Sequence, residues 1–375
     1  MPDSALTVVL KASIFTAMKA TSFSFTPYNS LSHLIAARLQ RQGIRVRVET
    51  EVDDQDRGVN DESWALLTDP AVQPEHPDWF RQYETQPLEI ISPQLALHSE
   101  RWEVDIERIF SSRSGQANPI LNNNSNFFTE LNSTTTLQVH IGNDPDADTG
   151  FSFHTVRNLA MILLVYEPVL DNMFSLKKPL NDSNHPLPVS SRDSPHFLPP
   201  NVARNCPRSV LAKHLLETCF DIPSVVRAMN PALRELNQLN GHSYFKYDFS
   251  SLLDPVRGAD HSTNSHDAAN PATSSRGGTI QFRQPVAALD PETMIHWVRF
   301  LGSLVDFASE VTLGSLKETL GIGEGNARTV PHARPPEFAT AQPLGTLLRL
   351  YNFMDLTNVL DGKTGRFWHR PRQYS

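Results

Sequence analysis

Polar and apolar side chains alternate along two separate segments of this chain. The segments are Leu137–Gly142 and Gly278–Gln284. Strict alternation predicts a strand with one packed face and one polar face. The polar side chains that share a face are Gln138 and His140 on the first strand, and Thr279, Gln281 and Arg283 on the second. If both strands belong to one sheet, these side chains form the floor of a site.

The same periodicities divide the rest of the chain into strands, helices and loops. Alternation or a short apolar run predicts strands at 44–48, 64–67, 87–93 and 242–249. Helical spacing with capping residues predicts helices at 30–39, 99–110, 153–174, in pieces over 208–240, at 290–308 and at 344–360. Proline-rich and polar composition predicts loops at 176–207 and 254–277. Residues 1–29 are apolar and rich in Ser and Thr, and they yield no predicted element.

Composition narrows the class of protein. The 375 residues are 39% hydrophobic and 20% charged, which is typical of a globular protein. A net charge of −8 without a basic stripe argues against a nucleic-acid partner. No apolar run approaches a membrane span, and Lys11 and Lys19 interrupt the N-terminal apolar stretches, which argues against a signal peptide. Cys206 and Cys219 are expected to be free thiols, which favours the cytoplasm.

Three other kinds of site have weak support in the sequence. The aspartates of 144–148 suggest a calcium loop but lack its central glycine and closing glutamate. His261 and His266 lie in a polar loop at a spacing that does not define a metal site. A hydrolase is disfavoured because no Gly-x-Ser-x-Gly or His-Glu-x-x-His motif occurs.

Four ordered segments resemble the amidoligase family, in particular its fungal branch. They are Trp64–Asp69 with Pro87–Pro93; Leu137–Gly142; the helical segment holding Asn158-Leu159 and Tyr166-Glu167-Pro168; and Thr279–Arg283 with Leu289-Asp290 and Trp297. The resemblance covers residues 30–310. It implies an α+β fold, with a mostly antiparallel sheet and helices packed around it, as in glutamine synthetase and glutamate–cysteine ligase.

The resemblance also implies a reaction that uses ATP and Mg²⁺. ATP phosphorylates a small-molecule or peptide carboxylate, and an amine then attacks the acyl phosphate to form an amide. Mg²⁺ neutralises phosphate charge and requires carboxylate oxygens. A guanidinium stabilises charge on the transferred phosphoryl group.

Individual positions take their expected roles from the same resemblance. Glu89 matches a metal-binding glutamate, and His140 matches the second histidine of a His-Val-His segment that contacts nucleotide or metal. Arg283 matches an arginine that contacts phosphate or substrate, and Asp69 matches an aspartate that helps to hold substrate.

The chain departs from the family pattern at three places. The family's first strand carries two metal-binding carboxylates, whereas this chain has no carboxylate between Asp3 and Glu49. Gln138, at a cofactor-binding position, replaces the first histidine. Gln281, at a catalytic position, replaces a glutamate. Glutamine is a neutral ligand and a poor anchor for Mg²⁺. Either the chain is a truncated or misread gene product, which would explain the missing carboxylate strand but not Gln138 or Gln281, or it is a degenerate member of the family. In both cases we expect the fold to lack its first strand.

Two functions remain open at this point. One is an ATP-dependent amidoligase, fully or weakly active. The other is an inactive relative, a pseudoenzyme that binds a nucleotide, peptide or protein partner. The expected organisation is an atypical segment at 1–29, an amidoligase-like domain at 30–322, and a linker, helix and tail at 323–375. Glu89, His140, Gln281 and Arg283 are expected to converge on one concave face of the sheet. The sequence names neither the substrates nor an oligomeric state.

Overall fold

A computed structural model gives the fold. It describes residues 6–19, 31–48, 62–69, 72, 83–110, 127–130, 135–143, 150–173, 190–194, 196–197, 206–231, 245–253, 278–283 and 291–322. By its internal contacts the chain divides into two compact units. Unit 1 comprises Met1–Phe151, Leu176–Ser191 and Met229–Gly302, and unit 2 comprises Ser152–Ser175, Arg192–Ala228 and Ser303–Ser375. Residues 6–19, the described part of the predicted segment 1–29, lie within unit 1.

Unit 1 is built on a nine-stranded sheet, counted over the described residues. Its strands are β1 (Leu6–Lys19), β2 (Val46–Val48), β3 (Trp64–Thr68), β4 (Tyr83–Ile91), β5 (Leu95–Ala96), β6 (Phe127–Glu130), β7 (Leu137–Asn143), β8 (Tyr247–Asp248) and β9 (Thr279–Phe282). The strand order is β2-β3-β4-β1-β7-β9-β8, and β5 and β6 also pair with β1. Only β2 and β3 run parallel among the described pairs, so the predicted α+β class with a mostly antiparallel sheet is confirmed.

The expectation that the first strand is missing was wrong. Residues 6–19 form β1, a 14-residue strand that pairs with β4 along one edge and with β7 along the other. The near-continuous apolar run hid its alternation, because Val9 is buried on the opposite face from Val8 and Leu10. β1 nevertheless carries no carboxylate.

Other differences from the sequence predictions are local. Pro87 lies inside β4 rather than at its start, and 242–249 yields only the short strand β8 among the described residues. Residues 122–132 are rich in asparagine, which favours a loop, yet they contain the short strand β6. The predicted helix at 344–360 and the predicted loop 254–277 lie outside the described residues.

Helices of unit 1 pack against one face of the sheet. They are α1 (Leu31–Arg41), α2 (Arg101–Phe110) and the first part of α6 (Pro291–Glu310). The backbone N–H of Ser32 donates to Gln86 Oε1 at 3.0 Å, and Trp64 Nε1 lies 3.5 Å from Asp105 Oδ2. Gln86 and Trp64 point to the face that also carries Leu10, and this face is the apolar face of the sheet.

Unit 2 is helical in its described residues. It contains the whole of α3 (Phe153–Met173), α4 (Arg208–Thr218) and α7 (Leu313–Thr319). It also contains α5 (Ile222–Met229) except for its last residue, and the part of α6 that follows Gly302. Buried Glu167 on α3 accepts a 2.7 Å hydrogen bond from Arg208 Nη1 on α4. Asn158 Nδ2 donates to the backbone oxygens of Ala308 and Val311. These contacts hold the helices together through buried polar groups as well as apolar packing.

Two sequence expectations about the whole chain also have an outcome. Cys206 and Cys219 are both free thiols, as expected. Among the described helices, none combines the length and apolar character that crossing a bilayer requires.

Candidate functional site

Strand register places the predicted site residues on the face opposite the helices of unit 1. Residues that lie directly across from each other in neighbouring strands point to the same face. Lys11 of β1 lies opposite Gln138, and His140 lies opposite Gln281. Glu89 lies opposite Ser13, two residues along β1 from Lys11. Glu89, His140, Gln281 and Arg283 therefore lie on one face of the sheet, which we call the polar face, although the register does not bring Glu89 together with the other three.

Charged groups on the polar face follow the order of the strands. A carboxylate, Glu89, lies on β4, and a cation, Lys11, lies on β1. Strand β7 is the middle one of the five strands β4-β1-β7-β9-β8, and we call it the central strand of the polar face. It carries the neutral side chains of Gln138 and His140. Beyond it, Arg283 directly follows β9, and Asp248 lies on β8. Two cations therefore flank the central strand, and the two carboxylates lie outside them.

A continuous chain of hydrogen bonds crosses this face. Its members, in order, are Ser13, Thr136, Gln138, Gln281, Arg283 and Asp248. Gln281 Nε2 donates to Gln138 Oε1 at 2.5 Å, and Arg283 Nη2 donates to Gln281 Oε1 at 2.9 Å. A carboxylate at position 281 could accept from the arginine but could not donate to Gln138. The amide donor of Gln281 is thus matched to the amide acceptor of Gln138.

His140 is buried at the centre of the polar face. The residue is 7% exposed, and its Nδ1 lies 3.5 Å from Thr279 Oγ1. Its Nε2 has no hydrogen-bond partner among the described residues. Burial, and then the positive charges of Lys11 and Arg283, hold the pKa of His140 well below its ordinary value. The imidazole is therefore neutral at pH 7.

The register does not bring Glu89 and His140 to one metal ion. Their cross-strand partners Ser13 and Val9 are four residues apart on β1. Four residues span about 13 Å, and two strand spacings add about 10 Å at right angles. The resulting separation of about 16 Å between Cα atoms exceeds what a glutamate and a histidine span when they share an ion with bonds of about 2 Å. Lys11 lies between them on the same face.

The donor set does not fit the Mg²⁺ that the resemblance implies. Among the described residues, no group of three or more His, Cys, Asp and Glu side chains could hold a metal ion. Asp248 Oδ2 already lies 3.5 Å from Arg283 Nη2. An ammonium group between Glu89 and His140 would also repel a divalent cation.

Asp69 lies apart from the other predicted site residues. It directly follows β3, and its backbone N–H donates to Pro87 O at 3.2 Å. Pro87 lies opposite Phe15 in the register, whereas His140 lies opposite Val9. Six residues of β1, or about 20 Å, therefore separate the two rows. The substrate role of Asp69 stays a prediction, and the geometry does not connect it to His140.

Sequence reasoning missed Lys11 and Asp248, and the signal for each was weak. Lys11 interrupts the apolar run Leu6–Leu10 and Ala12, and we read it only as an argument against a signal peptide. A lysine inside an otherwise apolar segment is itself a signal, because burying its charge is costly without a partner or a function. Asp248 ends a predicted strand, and its contact with Arg283 depends on the pairing of β8 with β9.

No family model, curated protein or solved structure matches this chain. The amidoligase resemblance thus rests on the four segments and on the residues named above.

Proposed function

We propose that this chain is a binding protein built on an amidoligase-like sheet, and that it does not catalyse ligation. The observation that carries the proposal is the composition of β1. This strand lies at the centre of the sheet, where β4 and β7 bring Glu89 and His140 to its two sides, and it contributes Lys11 and Ser13 in place of carboxylates. Phosphoryl transfer with Mg²⁺ depends on carboxylate oxygens that hold the metal.

The glutamine pair supports the same proposal. A hydrogen-bonded Gln138–Gln281 pair is neutral, so it neither binds Mg²⁺ strongly nor accepts a proton from an attacking amine at pH 7. Arg283 is tied to both Gln281 and Asp248, which holds its guanidinium in place beside the central strand. This arrangement suits the recognition of a ligand better than the transfer of a phosphoryl group.

An ATP-dependent amidoligase is the second candidate. It is favoured by the shared face of Glu89, His140, Gln281 and Arg283, which is the arrangement that the resemblance implies. In that case Arg283 would contact phosphate, and ATP and Mg²⁺ would be the cofactors. ATP would supply the phosphoryl group that activates the carboxylate.

Calorimetry and a turnover assay separate the two functions. The full chain is titrated with ATP in EDTA and again in Mg²⁺, and ADP release is followed in Mg²⁺ with mixed amino-acid and peptide carboxylates and hydroxylamine as a general amine. We expect Mg²⁺ to leave the ATP affinity unchanged within about threefold, because Mg²⁺ sites need carboxylates. We also expect ADP release equal to that of the Glu89→Gln variant.

The opposite result would establish the enzyme. ATP binding at least about tenfold tighter in Mg²⁺, together with hydroxamate formation that Glu89→Gln and Arg283→Met abolish, would show that Glu89 and Arg283 serve metal-dependent catalysis. Glu217→Gln is the matched control, because Glu217 is an exposed carboxylate of α4 in unit 2 and belongs to none of the predicted site positions.

A further inference from the structure

The polar face has its positive charge at the centre and its negative charge at the edges. Lys11 and Arg283 lie on either side of Gln138 in one row across β1, β7 and the end of β9. Each is about 5 Å from the central strand at the level of the backbone, so both long side chains can reach a ligand above β7. The carboxylates of Glu89 and Asp248 lie one strand further out in each direction.

The direction in which the pKa of His140 is shifted indicates the sign of the electrostatic potential around its ring. Among the described residues, the charged groups on this face are Lys11 on β1, Arg283 after β9, Asp248 on β8 and, further away, Glu89 on β4. Lys11 and Arg283 are the charges that depress its pKa, after the effect of burial. The two outer carboxylates therefore leave a positive field around His140, which favours a bound anion.

His140 also contributes an unsatisfied hydrogen-bonding group. Buried polar atoms are nearly always paired, so a buried ring nitrogen without a partner requires an explanation. Nε2 of His140 is such an atom among the described residues, while Nδ1 lies near Thr279 Oγ1. If Thr279 donates to Nδ1, Nε2 carries the proton and can donate to a ligand oxygen.

We propose that Lys11, Arg283 and His140 Nε2 form a binding site for a dianionic oxyanion, such as a phosphate group, that needs no metal ion. Lys11 supplies one positive charge and Arg283, which also contacts Asp248, supplies a second, and charge-assisted hydrogen bonds from ammonium and guanidinium groups are the strongest that a protein offers an oxyanion. Lys11 here supplies the positive charge that a metal ion supplies in a magnesium-dependent site. The proposal rests on the binding function proposed above and names the ligand class.

The test is a titration of the full chain with inorganic phosphate, in EDTA at constant ionic strength. We expect saturable binding by calorimetry, weakened at least about tenfold in Lys11→Met, which keeps the length of the side chain and removes its charge. The matched control is Lys213→Met, because Lys213 is a half-exposed lysine of α4 in unit 2, and phosphate affinity should be unchanged in it. Acetate is the second arm, and we expect binding at least about tenfold weaker than that of phosphate, since it carries one charge.

A second measurement does not depend on the folding of any Lys11 variant. In ¹⁵N-histidine-labelled wild-type protein, the ring signal that disappears in His140→Gln identifies His140. Saturating phosphate should shift this signal. Phosphate binding that requires Mg²⁺, equal affinity in Lys11→Met and wild type, or a His140 signal that phosphate leaves in place would each overturn the proposal.

The outcomes for the two proposals are distinguishable. Phosphate binding in EDTA together with magnesium-dependent ADP release would keep the oxyanion site and overturn the non-catalytic function. Absence of both phosphate binding and ADP release would overturn the oxyanion site and leave the non-catalytic function in place. Acetate binding as tight as that of phosphate would show a carboxylate site and overturn the dianion assignment.

Discussion

The two faces of strand β1 differ in the side chains that they carry. One face carries Val8, Leu10 and Ile14, all buried, and lies on the side where α1 and α2 pack. The other carries Lys11 and Ser13 among the polar side chains of β4 and β7. The apolar face stabilises the fold through the area that it removes from water, whereas the polar face stabilises it little per residue and carries specific hydrogen bonds. Apolar packing and specific hydrogen bonding are thus separated by a one-residue step along the chain.

The polar face is not uniformly polar. Val9, Ala65 and Ile91 form a small buried cluster on it, with Leu67 packed alongside. This cluster lies towards β3 and β4, while the hydrogen-bonded polar chain lies towards β7, β9 and β8. Leu67 lies opposite Glu89 and Val9 lies opposite His140, so the cluster borders both residues on the polar face.

The largest expected change in the free energy of unfolding comes from a substitution in the apolar face. Leu10→Ala removes a side chain that is 1% exposed at the centre of the sheet. We expect a loss of about 2–5 kcal/mol in the free energy of unfolding, because the lost transfer energy and the new cavity add. Urea unfolding of the variant and wild type measures this. A loss below about 1 kcal/mol would mean that the apolar face collapses freely around the deletion.

The next largest change in the free energy of unfolding is expected at a glycine of α6. A Cβ added at Gly302 of α6 would overlap the side chain of Leu97, whereas one added at Gly314 of α7 would meet open space. We expect Gly302→Ala to lower the free energy of unfolding by about 1–2 kcal/mol through overpacking. The control, Gly314→Ala, should raise it by about 0.5–1 kcal/mol through helix propensity. Thermal unfolding of the two variants compares them, and equal shifts would show that Leu97 yields without cost.

On the polar face, His140 should make the free energy of unfolding depend on pH. Because the pKa of folded His140 is below its ordinary value of 6.5, the unfolded chain binds a proton first as pH falls. The contribution of His140 to stability is therefore complete above pH 6.5 and is lost as pH falls from there towards the folded pKa. The slope from this residue is at most about 1.4 kcal/mol per pH unit.

Urea unfolding of wild type and His140→Gln from pH 7.5 to pH 5 measures this contribution. The difference between the two free energies should change with pH below about 6.5 and stay constant above it. A constant difference over the whole range would show that His140 titrates normally in the folded protein.

The smallest effect on stability should come from Lys11→Met. Lys11 is only partly buried, and methionine preserves most of its packing, so we expect a change below about 1 kcal/mol in the free energy of unfolding. The pKa of His140 should rise in this variant, since Lys11 lowers it, and should remain below 6.5 because burial is the larger cause. Histidine NMR across a pH titration measures it. An unchanged pKa would place the Lys11 ammonium away from the imidazole.

Much of the site was predictable from alternation alone. The pattern in 137–142 and 278–284 correctly placed Gln138 and His140 on one face and Gln281 and Arg283 on another strand of the same sheet. The period of two makes this inference safe, since a side chain's face follows from its position once a neighbour is assigned. The predicted helices at 30–39, 99–110 and 290–308 are also confirmed in their positions, with ends that differ by a few residues.

Strand β1 shows why other parts were not predictable. A strand buried on both sides loses the alternation by which a strand is recognised, and β1 has Val8, Val9 and Leu10 in succession. Its position at the centre of the sheet depends on partners at 83–91 and 137–143, which are distant in the chain. Pairing over such separations is decided by the fit of whole strands, which no local window contains.

By itself, the sequence determined which side chains alternate, which helices have an apolar stripe, and that no carboxylate lies between Asp3 and Glu49. Those properties are local, because the periods of two and 3.6 residues follow from backbone geometry. Only the tertiary structure decided that β1 is present, that Lys11 lies between Glu89 and His140, and that Gln138 and Gln281 bond to each other. Register between strands sets these distances, so the same residues would form a different site, or none, after a shift of one position.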